Sequence, residues 1–182
     1  MAMYLGSKKV AVTNTVEKQV SSMKAFFEAG GKCKGSKAKS FEGCWQYDDT
    51  ANVTDMGSMF EYCYNITTVP LFDISNVTDM DSMFYGCEKL TTVPRFDISN
   101  VTRMYSIFTN CTRLEKIHMI NINAELNIGA STKFTREALL EIIGNLKAQT
   151  SGNKTLRMGA TNLAKLTDED KAIATNKGWT LA

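Results

Sequence analysis

Asn76-Val77-Thr78-Asp79-Met80-Asp81-Ser82-Met83-Phe84, with Cys87 three residues further on, is the stretch that decides the fold. It stands between two near-copies, Asn52-Val53-Thr54-Asp55-Met56-Gly57-Ser58-Met59-Phe60 with Cys63, and Asn100-Val101-Thr102-Arg103-Met104-Tyr105-Ser106-Ile107-Phe108 with Cys111. Each copy begins 24 residues after the one before. The intervening stretches repeat as well: Ile66-Thr67-Thr68-Val69-Pro70, Leu90-Thr91-Thr92-Val93-Pro94 and a degenerate third copy, Leu114-Glu115-Lys116-Ile117-His118-Met119. A fixed period of this length is the mark of a repeat architecture. A weaker copy lies upstream at Gln19-Val20-Ser21-Ser22-Met23-Lys24-Ala25-Phe26-Phe27, 33 residues before Asn52. The extra length is expected as a loop within 32–40, a Lys-, Gly- and Ser-rich stretch.

Each unit reads as a helix followed by a strand. Thr54, Thr78 and Thr102 are expected as N-caps, with Asp55 and Asp79 in the first turn, where the helix dipole favours a carboxylate. Met80, Met83, Phe84 and Cys87 then fall at i, i+3, i+4 and i+7, one apolar stripe of a two-turn helix. The Leu90–Val93 stretch is β-prone, and Pro70 and Pro94 end the strands. Neither element can bury a face alone, but stacked copies bury a continuous core. The expected fold is therefore α/β: a solenoid with short helices on one side and a parallel sheet of short strands on the other. Cys63, Cys87 and Cys111 should form an interior ladder, Phe60, Phe84 and Phe108 an aromatic spine, and Asn52, Asn76 and Asn100 bonds to loop backbone between units.

Beyond Asn123 the pattern changes. Thr135–Leu146 is an amphipathic helix with Leu139, Ile142, Ile143 and Leu146 on one face. A strand is expected at Thr155–Met158, with Leu163 and Leu166 continuing inward. Thr167-Asp168-Glu169-Asp170 is a capping box that opens a second helix, Asn176-Lys177-Gly178 closes it, and Trp179–Leu181 is a last strand. The chain divides as one solenoid domain: an N-terminal degenerate repeat and cap (1–50), three repeats (51–121) and C-terminal cap units (122–182).

The repeat Asn-Val-Thr-Asp-Met-x-Ser-Met-Phe-x-x-Cys resembles the BspA-like leucine-rich-repeat family of bacterial surface proteins over about residues 50–121. The segment Leu156–Leu181 is similar to the closing segment of related proteins in phages and prophages of Gram-positive bacteria, and Met3-Tyr4-Leu5-Gly6 to the start of phage structural proteins. The resemblance implies a surface-exposed binding role in adhesion or host recognition, and it supplies no catalytic residues.

The rest of the sequence fits a non-enzymatic protein. A net charge of +2 gives no electrostatic footprint for nucleic acid, and no apolar window has the length of a membrane span. The first nine residues lack a basic start followed by an apolar run, so no secretory signal is read. The expectation is synthesis in the cytoplasm and a place on the virion or cell surface after release by lysis. Five cysteines, an odd number, do not make a disulfide framework. All five are expected as thiols, and a Cys33–Cys44 disulfide would need an oxidising compartment of which the sequence gives no sign. Paired C-x2-C spacing is absent, so no metal site and no cofactor is expected. P-loop, dinucleotide, zincin and serine-elbow motifs are absent too. The Asn-x-Thr triplets at Asn52, Asn65, Asn76, Asn100, Asn110 and Asn153 are read as by-products of the repeat.

The candidate binding surface is the outward face of the strands: Thr68, Pro70, Thr92, Pro94, Arg95, Lys116 and His118. Leu71, Arg95 and Met119 share the next matching position. His118, the single histidine, stands where Pro70 and Pro94 stand, which points to solvent or ligand rather than catalysis. The expected partner is a protein or a cell-surface glycan, and the sequence leaves the oligomeric state open.

Overall fold

The structure, a computed structural model, describes residues 2–5, 8–11, 50 and 53–182. The upstream copy at 19–27, the 32–40 loop, Cys33, Cys44 and Asn52 lie outside the described residues. Near the start, β1 (Ala2–Leu5) and β2 (Lys8–Ala11) pair antiparallel, Ala2 opposite Ala11 and Leu5 opposite Lys8. Every strand pairing and bridge within 53–182 is parallel.

The repeats join through backbone hydrogen bonds one period apart. The amides of Met56, Ser58, Phe60 and Tyr62 donate to the carbonyls of Asp79, Asp81, Met83 and Tyr85 at 2.7–2.9 Å. Met80, Ser82, Phe84 and Gly86 donate likewise to Arg103, Tyr105, Ile107 and Thr109 at 2.8–3.1 Å. The amides in between close local turns, Met59 to Met56, Glu61 to Ser58 and Cys63 to Phe60. Positive φ recurs at the same two places in each unit: Ser58 (53°) and Tyr62 (57°), Ser82 (55°) and Gly86 (71°), Ser106 (55°) and Asn110 (62°).

This corrects the expected two-turn helices. The stretches from Met56, Met80 and Met104 are runs of tight turns, because every second amide of the first two units is bonded to the next unit and the positive-φ residues interrupt any i→i−4 ladder. The burial stripe survives nonetheless: Met80, Met83, Phe84 and Cys87 are all fully buried. The threonines correct in the same way. They do not cap helices; Thr78 Oγ1 donates to the Thr54 carbonyl (3.2 Å) and Thr102 Oγ1 to the Thr78 carbonyl (3.3 Å). Asp55 and Asp79 each fold back so that Oδ1 accepts the amide two residues on, Gly57 or Asp81, at 2.9 Å.

On the other side, β3 (Thr92–Val93) and β4 (Lys116–Ile117) pair in parallel, and Thr68 bridges to Thr92. Between the two sides, Phe84 stacks on Phe60 at 5.5 Å and on Phe108 at 5.7 Å, the rings within 6° of parallel. A second aromatic pair, Phe72 and Phe96, lies at 4.8 Å. The cysteine ladder is buried, and each later sulfur donates to a phenylalanine carbonyl one unit back, Cys87 to Phe60 (3.1 Å) and Cys111 to Phe84 (3.0 Å).

The chain then forms β5 (Leu126–Asn127), α1 (Arg136–Gly144), β6 (Lys154–Arg157), α2 (Ala160–Leu163), α3 (Asp168–Thr175) and β7 (Trp179–Leu181), with β5, β6 and β7 in one parallel sheet. Thr135 caps α1 by accepting the Ala138 amide, and Leu139, Ile142 and Ile143 are buried. Thr167 and Asp170 form the expected capping box of α3. The sequence reading did not foresee α2. There Asn162, not Leu163, is the fully covered residue, its amide group donating to the carbonyls of Ser131 (2.8 Å) and Met158 (3.0 Å).

Candidate functional site

The strand side sets three residue rows in register. In the first, Thr68 bridges to Thr92 and Thr92 pairs with Lys116. Thr68 and Lys116 are exposed and Thr92 is half-buried, while Val69, Val93 and Ile117 turn inward. The alternation is that of a half-buried strand. Pro70, Pro94 and His118 make the second row, each half-buried. Two of these three have no N–H, so only His118 donates across, to the Val93 carbonyl at 3.1 Å. That is why the strands stop after two residues.

In the third row the structure separates what the sequence grouped. Leu71 is 63% exposed and Arg95 is exposed, but Met119 is fully buried and does not reach the face. Leu71 and Arg95 edge an open groove of about 410 Å³, with Phe72, Ile74 and Phe96 on its apolar side. Asp73 and Asp97 also line it. Both carboxyls sit below the ordinary range: the Ser75 amide holds Asp73 down, and the Asn121 side chain is the first cause at Asp97. The Ser75 amide donates to Asp73 at 2.8 Å, and Asn121 Nδ2 donates to Asp97 at 3.1 Å. The groove therefore offers an apolar bed between an exposed cation and two anions held by hydrogen bonds.

His118 has a partner that sequence reading missed. Its Nδ1 lies 2.6 Å from Glu141 Oε1, because α1 packs on β4 and brings Glu141 over the end of the second row. Also missed was a tyrosine cluster on the turn side. Tyr62 sits 5.3 Å from Tyr85, edge to face, and 5.7 Å from Tyr64. The available signal was that these tyrosines break the repeat, standing where other units carry Gly86, Glu61 and Glu88.

Among the described residues no group of three His, Cys, Asp or Glu side chains could hold a metal ion, and no helix is long and apolar enough to cross a membrane. Residues 23–136, more than half of the chain, match the family described as "Mycoplasma protein of unknown function, DUF285". The chain belongs to this DUF285 family. The match starts inside the upstream copy at 19–27, takes in all three repeats and ends at the first residue of α1, so the C-terminal units lie beyond it. This is compatible with a BspA-like repeat. No curated protein and no solved structure matches the chain.

Proposed function

We propose that this DUF285 protein is a non-enzymatic solenoid of the leucine-rich-repeat type that works as a binding scaffold, a tail-associated component of a phage or prophage virion that recognises a protein or cell-surface ligand. The observation that carries the reading is the register of the strand side. Thr68, Thr92 and Lys116 form one row and Pro70, Pro94 and His118 the next, beside a groove of about 410 Å³ edged by Arg95. An extended face of repeated positions is what repeat proteins commonly use to bind. The phage setting rests on the likeness of Leu156–Leu181 to closing segments of phage proteins. The second reading is a bacterial surface adhesion module, favoured by the repeat sequence itself.

Binding of fluorescently labelled protein to a panel of Gram-positive cells and their purified wall glycans tests the scaffold. The triple variant Thr92→Arg, Arg95→Glu, Lys116→Glu should lose binding while melting like the parent. Equal binding by parent and variant would remove the strand side from consideration. Gold-labelled antibody then separates the settings: label on virion tails supports the first reading, and label on intact uninfected cells supports the second.

A further inference from the structure

The third repeat departs from the first two at one charged position, and the departure opens a site. In the first two units an aspartate, Asp55 or Asp79, gives Oδ1 to the amide two residues on, Gly57 or Asp81, at 2.9 Å. The third unit has Arg103 at that position, and the amide two residues on is that of Tyr105. Among the described residues the Tyr105 amide has no acceptor. The amides on either side are also unmatched. Met80 and Ser82 donate to the next unit, but their equivalents Met104 and Ser106 do not, because the chain after Asn123 turns into β5 instead of repeating the ladder. Among the described residues the N–H groups of Met104, Tyr105 and Ser106 thus have no protein acceptor, and Ser106 stands at a positive φ of 55°. In the first two units the equivalent amides alternate, the outer two toward the next unit and the middle one toward the aspartate, so the Tyr105 amide is the one that lacks the carboxylate its equivalents bond.

The surroundings suit one. Met104 and Tyr105 line a cavity of about 240 Å³ together with Thr102, Asn123, Ala124, Glu125 and Lys154. Lys154 donates to the backbone and side-chain oxygens of Asn123 and has no carboxylate partner; burial, and then the neighbouring Lys147, make its proton easier to lose. Among the described lining residues the one acid, Glu125, pairs with Arg157 at 3.0 Å. Arg103 is bridged to Asp79 at 3.2 Å, which leaves Lys154 as the charge that faces the cavity without a carboxylate. The Tyr105 ring is 63% exposed beside the opening.

We infer that this cavity binds a carboxylate group of an external ligand, which takes on the Tyr105 amide the place that Asp55 and Asp79 fill internally in the other two units. The carboxylate accepts from the Tyr105 amide and is balanced by Lys154. The site shares no residue with the strand rows and does not depend on their role.

Amide-resolved NMR of the full chain reads the site directly. Acetate, glucuronate, inorganic phosphate and chloride serve as separate probes. Acetate and glucuronate should shift the Tyr105 amide proton downfield and saturably, with Met104 and Ser106 following, while Gly57 and Asp81, already bonded, stay still. Tighter binding of glucuronate assigns a sugar acid held against the Tyr105 ring; equal binding assigns the carboxylate alone. Lys154→Gln should weaken binding by about tenfold, the scale of one charged hydrogen bond. Arg103→Asp should abolish the shift by restoring the internal acceptor, and Arg103→Asn does so without placing a second charge beside Asp79. The inference is overturned if Tyr105 does not respond, if Gly57 and Asp81 respond equally, if phosphate binds and the carboxylates do not, or if both Arg103 variants bind like the parent.

Discussion

Cys87 is enclosed on every side, and its sulfur donates to the Phe60 carbonyl 3.1 Å away. Burial pushes its thiol well above the ordinary value and pushes Cys111 up to about 12. The reactive form of cysteine is the thiolate, so both protection from reagent and suppression of ionisation act together. In native protein at mildly alkaline pH, Cys63, Cys87 and Cys111 should stay unmodified by a thiol reagent and become reactive only on unfolding. Rapid native labelling of Cys87 would contradict the ladder. Phe84 lies between Phe60 and Phe108, parallel to both, so truncating it removes two ring contacts as well as its buried area. Phe84→Ala should cost roughly 3–5 kcal/mol in denaturant melts, the range for a large side chain deleted from a core. A loss below about 1 kcal/mol, as at surface positions, would show that the spine is not where the rings are placed. Gly86 has φ of 71°, and a Cβ there would come within 2.8 Å of the Tyr62 ring. Gly86→Ala should therefore destabilise through both the backbone and the displaced ring, whereas alanine at the equivalent, already non-glycine Asn110 should cost less in the same melts.

Arg136 at the start of α1 and Asp170 in the first turn of α3 tie two elements with paired bonds of 2.7 and 2.8 Å. The Arg136 guanidinium, with the Thr167 amide behind it, holds the Asp170 carboxyl below the ordinary carboxylate range. A group whose folded value is depressed stabilises fully above its unfolded value, about 3.9 for aspartate, and loses that contribution as pH falls through the folded value. The melting-temperature gap between the parent and Asp170→Asn should be complete at neutral pH and shrink below about pH 4. An unchanged gap in strong acid would mean the tie contributes nothing through charge. This capping box was legible in Thr167-Asp168-Glu169-Asp170, because the pattern is local; its partner Arg136, 34 residues away, was not. The same division runs through the repeats. The burial of Met80, Met83, Phe84 and Cys87 could be read from spacing, since spacing reports which side chains share a face. Spacing does not report where amides go, and a stretch whose alternate amides serve the next unit looks helical in its side chains alone. Serine at 58, 82 and 106 carries no sign of positive φ; only Gly86 and Asn110, at the other recurring position, hinted at it. On the strand side, the rows of Thr68, Thr92 and Lys116 followed from the period. The contact between His118 and Glu141 did not, because α1 supplies it, and Met119 was misplaced because the register slips by one residue there, Asp97 bridging to Ile120 instead of Asn121.

A stack of repeated units, the architecture proposed for this chain, has an end that must be covered. Stacked units leave the last one with an uncovered apolar face and an unpaired edge, and both invite association with other chains. Residues 167–182 cover the preceding unit in several ways at once, with β7 as the outer strand of the sheet. β7 pairs with β6, Lys154 opposite Trp179 and Leu156 opposite Leu181. Trp179 is almost wholly buried, and its indole N–H donates to the Lys147 carbonyl at 2.8 Å. Lys177 donates to the carbonyls of Ile143 and Gly144, the exposed end of α1, where no basic residue of the helix itself serves. Ala182 returns its own N–H to Leu156 and accepts from Met158 and Gly159. Ending the chain at Leu166 removes all of these together with the tie from Asp170 to Arg136, and it uncovers β6 along with Ile142 and Ile143 of α1 in the neighbouring layer. The truncated protein should aggregate or unfold, seen as void-volume elution in size-exclusion chromatography and a lost or broadened melting transition by circular dichroism. A monomeric truncate with the parent's transition would show that residues 167–182 are an appendage, and that closure of the stack lies in α1 and β6 alone.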